Sequence, residues 1–223
     1  MFSDLEVLTQ GNNFARLLGG LGVSIQIALA SMALSIVFGT MMGVAMASKS
    51  KALRAVTQAY LQFVRIMPQL VLLFLVYFDA TRAWGLNLDA RLAAIIVFTL
   101  WGTAELGDLV RAAIESVPRH QYLSAAALGI EGRALYRHVV LPQALRGLVP
   151  ATINLTNRMI MTTSLVALIG VVEVLKVAQQ IIDANRFDYP SAALWIYGVV
   201  FLLYFLVCFP ISLAARKLEE RWS

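Results

Sequence analysis

The chain has 223 residues, of which 60% are hydrophobic and 14% are charged. About a quarter of the residues of a soluble domain are charged, so this composition argues against an ordinary soluble protein. The formal net charge of +5 would suit nucleic-acid binding, but the basic residues cluster between apolar blocks, which is the pattern of a membrane protein.

The apolar residues come in five blocks, at residues 21–47, 55–78, 92–114, 148–172 and 192–215. Each is about as long as the roughly 20 residues that a helix needs to cross a bilayer, although Asn154, Asn157 and Arg158 interrupt the fourth. Asp4 and Glu6 precede the first block, where a cleaved signal peptide would carry basic residues, so we expect this block to be retained. The sequence predicts an all-α, polytopic membrane protein with about five transmembrane helices in a single domain, residues 1–223.

The distribution of Lys and Arg predicts the orientation of the chain, because cytoplasmic loops are enriched in these residues. Basic residues cluster between spans one and two, between spans three and four, and after span five: Lys49, Lys51, Arg54, Arg119, Arg133, Arg137, Arg146, Arg216, Lys217 and Arg221. The other two connections mix basic and acidic residues. We therefore expect the N-terminus outside, the C-terminus inside, and the long connection at residues 116–147 in the cytoplasm.

Residues 118–144 of this connection read PRHQYLSAAALGIEGRALYRHVVLPQA. Residues 125–128 favour a helix, and Gly129 follows them where a C-cap glycine belongs. A second helical stretch, residues 131–140, is predicted to end at Pro142. The pattern predicts two short helices joined at a glycine, which would form a rigid lever on the cytoplasmic face.

This segment resembles the cytoplasmic coupling-loop signature of the permease subunits of binding-protein-dependent ABC importers. The matching positions are Ser124, Ala125, Gly129, Val139, Leu141 and Pro142. Residues 141–144, LPQA, resemble the branch that carries polar amino acids, and so do FVRIMP at 63–68, IESVP at 114–118, TSL at 163–165 and IGV at 169–171. The resemblance covers most of the chain. The sequence departs from it at Leu123, where the family has an acidic residue, at Met161, where lysine is usual, and at Ile66, where glycine is usual.

The resemblance implies a permease subunit that moves polar amino acids across the inner membrane by alternating access. The implied partners are cytoplasmic ATPase subunits that dock on the loop, a second permease chain, an external amino-acid-binding protein and the lipid bilayer. ATP and Mg would be held by the ATPase, and this chain would need no cofactor of its own. The missing acid at Leu123 favours a heterodimer of two unequal permeases over a homodimer.

Charged residues inside the predicted spans are candidates for the substrate path, because a charge near the bilayer centre is costly and usually has a partner or a function. Asn154, Arg158 and Thr162 recur at i, i+4 and i+8 and form one polar stripe on a helix. Arg158 would bind a substrate carboxylate, or it would neutralise Glu105 or Asp108 of the third span; Asp108 is also matched by Arg111 three residues on. An Arg158 site favours acidic or neutral amino acids, whereas Glu105 would suit a cationic one.

Two further features concern the packing of the spans. Pro68 should kink the second span, with Arg65 either part of a gate or a cap for the freed carbonyls. Gly39 and Gly43 form a G-x-x-x-G pair that permits close helix approach. The segment 174–189 reads as an external amphipathic helix, either a cap on the membrane surface or part of the rim on which a binding protein docks.

The motifs of several enzyme classes are absent from the sequence. Residues 43–50, GVAMASKS, carry Ser48 where a phosphate-binding loop needs its second glycine, and they follow an apolar span rather than a strand. His120 and His138 lack metal-ligand spacing, and the single cysteine, Cys208, excludes an internal disulfide. We therefore expect no metal and no enzymatic activity in this chain. The alternative function is an ion-coupled secondary carrier or a channel subunit that uses Arg158, Glu105 and Asp108, although a carrier should show internal repeats.

Overall fold

The computed structural model describes residues 3–79, 82–83, 85 and 87–222, and every regular element in these ranges is helical. A 3-10 helix, Ser3–Leu8, precedes α1 (Asn13–Met46), α2 (Lys51–Ile66) and α3 (Gln69–Phe74). They are followed by α4 (Ala90–Glu115), α5 (Arg119–Ala127), α6 (Gly132–Leu135), α7 (Leu141–Thr162), α8 (Val174–Asn185) and α9 (Ala192–Trp222). Two π turns, Leu75–Asp79 and Tyr136–Val140, follow α3 and α6, and a 3-10 turn, Thr163–Ile169, follows α7. The prediction of an all-α protein is confirmed.

Three helices, α1, α4 and α9, are individually long and apolar enough to cross a membrane. Two pairs of consecutive helical segments meet the same criteria when the two members of a pair are joined into one span. The first pair is α2 with Gln69–Asp79, with a bend of 99°, and the second is the run Gly132–Ile169 with α8, with a bend of 49°. Counting each pair as one span gives five spans, in agreement with the sequence. α1 begins at Asn13 and α9 ends at Trp222, beyond the apolar blocks, because helices are held by backbone hydrogen bonds and do not stop where apolar residues stop.

The second predicted span, residues 55–78, is not one continuous helix. α2 ends at Ile66, Met67 is extended, and Pro68 is the N-cap of α3. A proline disfavours helical geometry in the residue before it and has no N–H to continue the ladder, so the helix restarts after it. The predicted kink at Pro68 is therefore confirmed, and it is sharp enough to separate α2 from α3.

The predicted end of the second loop helix at Pro142 is wrong. The Tyr136–Val140 π turn continues directly into α7, and the Leu141 N–H donates to the Tyr136 carbonyl five residues back. Pro142 is the second residue of α7. It comes just after the backbone hydrogen bonds change from the five-residue spacing of the π turn to the four-residue spacing of the α-helix. Its missing N–H therefore interrupts no established α-helical bond. One helical run therefore extends from Gly132 to Ile169.

The chain packs as two compact units. The first contains Met1–Ser31, Pro68–Phe98 and Arg158–Pro210, and the second contains Met32–Met67, Thr99–Asn157 and Ile211–Ser223. α1, α4, α7 and α9 contribute residues to both units. The single domain over residues 1–223 stays a prediction.

The core of the first unit forms around α8. Val174, Val177, Ala178 and Ile181, at helical spacing, are buried against Leu17 and Leu21 of α1 and against Ala192, Ile196, Val200 and Leu203 of α9. Gly20 of α1 makes the contact close, since a Cβ there would lie 2.8 Å from the Val174 Cα. The apolar face of α8 therefore packs into the protein core. α8 is not a cap that lays this face on the membrane surface.

In the second unit, two glycines allow α1 to approach α4. A Cβ on Gly39 would lie 2.8 Å from the Leu106 Cβ, and a Cβ on Gly43 would lie 2.6 Å from the Gly107 carbonyl oxygen. The Ser35 hydroxyl donates to the Thr99 carbonyl of α4 at 3.4 Å. The packing role predicted for the G-x-x-x-G pair is confirmed.

Replacing Gly43 by alanine should therefore force α1 and α4 apart. We expect G43A to lower the free energy of unfolding by about 1–3 kcal/mol, as overpacking of a close contact does. The matched control is G22A on the same helix, because a Cβ at Gly22 meets nothing within 4 Å. The measurement is the unfolding midpoint of the purified chain in detergent, and equal midpoints for the two variants would contradict the close contact.

Candidate functional site

A network of charges lies in the second unit, between the end of α2 and the middle of α4. The Arg65 guanidinium donates to Glu105 (Nε to Oε1, 3.0 Å) and to Asp108 (Nη2 to Oδ2, 2.7 Å). The two acids are three residues apart on α4 and so lie on one face of that helix. Their side chains are 15% and 18% exposed, whereas the Arg65 side chain is 40% exposed. One arginine therefore bridges two carboxylates that are largely removed from solvent.

Arg111 continues this network along α4. Its guanidinium binds Asp108 three residues earlier, as the sequence predicts, and Glu115 four residues later, at 2.6 Å. Charges of opposite sign thus alternate from Glu115 through Arg111, Asp108 and Arg65 to Glu105. This alternation offsets the cost of partly burying the Glu105 and Asp108 carboxylates.

The contact between Arg65 and α4 was not anticipated from the sequence. The two interpretations of Arg65 were a gate and a cap for carbonyls freed by Pro68, but its guanidinium binds carboxylates of another helix. The signal in the sequence was that a basic residue in one span and two acidic residues in another each need an opposite charge. The pairing joins residues 40 and 43 positions apart, which no local pattern specifies.

The predicted polar stripe lies on α7, which is helical through Thr162. In the first unit the Arg158 side chain is exposed, and the Thr162 hydroxyl donates to the Arg158 carbonyl at 2.8 Å. In the second unit Asn154 is exposed. Its neighbour Asn157 is buried instead and donates to the Ser212 hydroxyl of α9 at 2.7 Å, so Asn157 holds α7 against α9.

The turn after α5 has a Schellman geometry. The Ile130 N–H donates to the Ala125 carbonyl at 2.9 Å, and the Gly129 N–H donates to the Ala126 carbonyl at 3.0 Å. Gly129 has φ +69°, a left-handed conformation that residues with a Cβ adopt only with strain. The glycine predicted at this C-cap is confirmed, and it forms a defined turn rather than a free hinge. Gly132 also has a positive φ, +56°, which was not predicted from the sequence.

The residues matched to the coupling signature differ in exposure. Ser124, Gly129, Leu141 and Pro142 are exposed, Val139 is intermediate, and Ala125 is buried. The loop also exposes three large apolar side chains: Leu123 (72%), Leu128 (75%) and Tyr136 (56%). Ala125 therefore supports the loop from within, while its neighbours form an apolar surface.

Glu173 is a buried acid that was not predicted from the sequence. It is fully buried in the first unit and caps α8, accepting from the Leu175 N–H at 3.0 Å and the Lys176 N–H at 2.9 Å. The Ser24 hydroxyl of α1 donates to the same carboxylate at 3.2 Å. An acid just before an amphipathic helix was the available signal. Across the described ranges, no cluster of three or more His, Cys, Asp or Glu side chains could hold a metal ion.

The Arg65 network predicts an energetic coupling between α2 and α4. We expect R65M to lower the free energy of unfolding by about 1–3 kcal/mol, between the costs typical of exposed and fully buried ion pairs. Once Glu105 is changed to Gln, R65M should cost less, since one of the two negative charges that Arg65 binds has gone. The control is R54M, because Arg54 lies on the same helix and makes no ion pair with the residues described. Additive effects in the double variant, measured by unfolding in detergent, would argue against the coupling.

Comparison with known proteins places the chain in a family. A family model described as the binding-protein-dependent transport system inner membrane component matches residues 35–223. The probable amino-acid ABC transporter permease YckA of Bacillus subtilis (strain 168) is 32% identical over 95% of this chain and 91% of its own length. From the same organism, the probable glutamine permease GlnP is 31% identical over 94% of both chains, and the L-cystine permease TcyB is 31% identical over 96% of this chain and 89% of its own.

Solved structures share the fold. The crystal structure of an amino acid ABC transporter with histidines superposes with a TM-score of 0.84 at 23% identity, covering 96% of this chain and 97% of that one. An inward-facing structure of the MetNI methionine ABC transporter superposes with a TM-score of 0.75 at 19% identity, covering 94% and 97%. The family match over most of the chain and the helical architecture agree, and the chain therefore belongs to the inner membrane components of binding-protein-dependent transport systems.

Proposed function

We propose that this chain is the permease subunit of an ATP-driven importer that moves polar amino acids across the inner membrane by alternating access. The observation that carries the proposal is full-length similarity, at 31–32% identity, to permeases named for amino acids, glutamine and L-cystine. The charged side chains among the helices give the protein groups that can meet a polar, zwitterionic cargo.

In the proposed complex, the connection at residues 116–147 faces the cytoplasm and docks on the ATPase. The exposed positions Ser124, Gly129, Leu141 and Pro142 and the half-buried Val139 would contact the ATPase, and Ala125 would support them from within. The helical run Gly132–Ile169 supports this assignment, because it has no break between the loop and α7. A displacement of the loop would therefore reach the first turns of α7 through continuous helical backbone.

The remaining partners follow from the same proposal. The N-terminus would lie outside and the C-terminus inside, as the distribution of basic residues predicts. ATP and Mg would bind the ATPase subunits, and this chain would hold no cofactor. A second permease chain would complete the translocation path, and a heterodimer is favoured because Leu123 stands where the family has an acid. The binding protein would deliver the amino acid from outside.

For the substrate path we propose Arg158, with Asn154 and Thr162 on the same helix. A guanidinium binds a carboxylate through two parallel hydrogen bonds, and an asparagine can both donate to and accept from a substrate. Thr162 already donates to the Arg158 carbonyl, which leaves its hydroxyl oxygen as an acceptor. This arrangement favours the α-carboxylate of an amino acid as the group that Arg158 meets.

Glu105 and Asp108 would border the path without being free charges. Arg65 and Arg111 neutralise them, so a cationic substrate group would have to compete with an arginine for either acid. The same pairing argues against the alternative of an ion-coupled carrier or channel, in which Arg158, Glu105 and Asp108 would act as coupling charges. A coupling acid has to gain and lose its ion, and an acid held by arginine resists that exchange.

The test is the ATPase activity of the reconstituted complex with its binding protein, across a panel of amino acids. We expect one group of amino acids to stimulate ATP hydrolysis. G129V should lower that stimulation about 5- to 30-fold, because a β-branched residue at a left-handed φ costs roughly 1–2 kcal/mol and distorts the turn. The control is G147A in α7, whose Cβ would meet nothing within 4 Å. Uptake driven by an ion gradient without any ATPase would refute the proposal.

Arg158 gives a second prediction. We expect R158M to reduce amino-acid uptake about tenfold or more, because a lost charge-assisted hydrogen bond costs roughly 1.5–3 kcal/mol, while R158K keeps part of the rate. R216M, which removes an exposed arginine near the end of α9, is the control and should transport normally. The unfolding midpoint is measured in parallel. A loss of stability in R158M with an unchanged uptake rate per folded molecule would assign Arg158 to structure instead.

A further inference from the structure

A groove of about 340 Å³ lies in the second unit, between α1, α4 and α7. Leu106 and Val110 of α4 and Ala144 of α7 line it and are buried, so they form its floor. Its walls are open, since Val44 of α1 is 55% exposed and Leu145 of α7 is 40% exposed. The three helices therefore enclose a trough that is closed at its base and accessible from one side.

The lining of this groove carries no charge among the described residues that form it. Its polar members are Thr40 and Thr152, and the Thr152 hydroxyl already donates to the Leu148 carbonyl at 2.8 Å. Water in such a groove finds few hydrogen-bond partners, so the lining favours an apolar ligand.

The length of the groove matches the depth of one bilayer leaflet. Along α1 its lining runs from Ile36 to Val44, and along α7 it runs from Ala144 to Ile153. At about 1.5 Å per residue these segments span roughly 12 and 14 Å, and half of a hydrocarbon core of about 30 Å is roughly 15 Å. An acyl chain of one leaflet can therefore lie along the whole groove.

Exposed basic residues accompany the helix ends at the loop end of the groove. Lys49 and Lys51 follow the last turn of α1, and Arg137 lies in the π turn that leads into α7. Within the described ranges none of these three makes an ion pair, and the acid at this end of α4, Glu115, is bound by Arg111. The distribution of basic residues puts this end at the cytoplasmic surface. Basic side chains beside an apolar groove at that surface suit the headgroup of an anionic phospholipid.

The groove and the charge network lie on different sides of α4, which favours lipid over a second permease chain as the occupant. Leu106, Val110 and Ala113 share one face of α4. At about 100° per residue, the centre of the charged set lies nearly opposite this face, at Glu105, Asp108, Arg111 and Glu115. A second permease chain that completes the translocation path would lie beside those charges, so the opposite side of α4 is left to the bilayer.

We propose that this groove binds an anionic phospholipid of the cytoplasmic leaflet, with one acyl chain between α1 and α7 and the headgroup beside Lys49 and Lys51. The inference goes beyond the proposed function, because no step of it depends on ATP or on the amino acid carried; it uses only the membrane location and the orientation that the basic residues predict. The acyl chain would fill space that the side chains leave empty and would gain dispersion contacts with the floor and both walls. The two ammonium groups would select a negative headgroup over a zwitterionic one.

The experiment uses the full complex in phosphatidylcholine nanodiscs that contain a small fraction of a lipid with a photoreactive group on one acyl chain. The probe is either phosphatidylglycerol or phosphatidylcholine with the same chains, and the labelled peptides of this chain are quantified by mass spectrometry. We expect the phosphatidylglycerol probe to label the groove segments of α4 and α7 about fivefold more than the phosphatidylcholine probe, since one basic residue near the surface contributes about that factor.

Two variants test the two ends of the lipid. A113F should reduce groove labelling about fivefold or more, because its phenyl ring would occupy the space of the acyl chain. The matched control is A214F, which adds the same ring at an exposed position of α9 outside the groove and should label normally. K49Q with K51Q should bring phosphatidylglycerol labelling down to the phosphatidylcholine level and leave the latter unchanged. Unfolding midpoints are measured in parallel, and the exposed lysines can be changed without altering the packed helices.

Three results would overturn the lipid site. Equal labelling of the groove by both probes would mean ordinary contact with the bilayer and no selection of an anionic headgroup. Unchanged labelling in a folded A113F variant would put the acyl chain outside the groove. Labelling of the isolated chain that is lost in the full complex would show that a second permease chain covers the groove. None of these results depends on ATP hydrolysis, so the lipid site and the proposed function can fail separately.

Discussion

Polar groups among the apolar helices of this chain have to be satisfied by the protein itself, because hydrocarbon supplies neither charge nor hydrogen bonds. Glu105 and Asp108 on α4 are two such groups, and Arg65 binds both of them. Pro68 separates α2 from α3, and α2 is an amphipathic helix whose last-turn arginine lies against α4.

The same constraint explains smaller features of both units. Glu173 is fully buried but carries three hydrogen bonds, two from the first turn of α8 and one from Ser24. Its carboxylate thus completes the N-terminus of a helix and ties that helix to α1. The buried serines of α1 are also partnered: Ser31 donates to the Ile95 carbonyl and Ser35 to the Thr99 carbonyl, both of α4. Small polar residues thereby serve close packing and hydrogen bonding at once.

The exposed apolar surfaces of the chain are distinguished by the charges that accompany them. On α9 the exposed phenylalanines have no charged neighbours, and Phe205 and Phe209 stack at 5.0 Å, which suits contact with lipid tails. On the loop, Leu123 and Leu128 lie in a segment rich in arginine, which suits a partner with an acidic rim. After α8, the exposed Phe187 is flanked in sequence by Arg186 and Asp188. Apolar area alone would not separate these surfaces, but the charge pattern assigns each a different medium.

The sequence by itself determined the helical class, the number of apolar spans, the glycine at the turn after α5 and the close-packing glycines of α1. These are local properties, since span length, capping and i, i+4 spacing can be read within a few turns of chain. Only the tertiary structure decided that Arg65 binds Glu105 and Asp108, that Glu173 is buried against Ser24, and that the helix continues through Pro142. The first two contacts join residues 40 to 149 positions apart. The same set of residues would allow many other pairings of opposite charges or of hydrogen-bond donors and acceptors. Packing selects one of them, because only that arrangement also buries the apolar faces of the same helices.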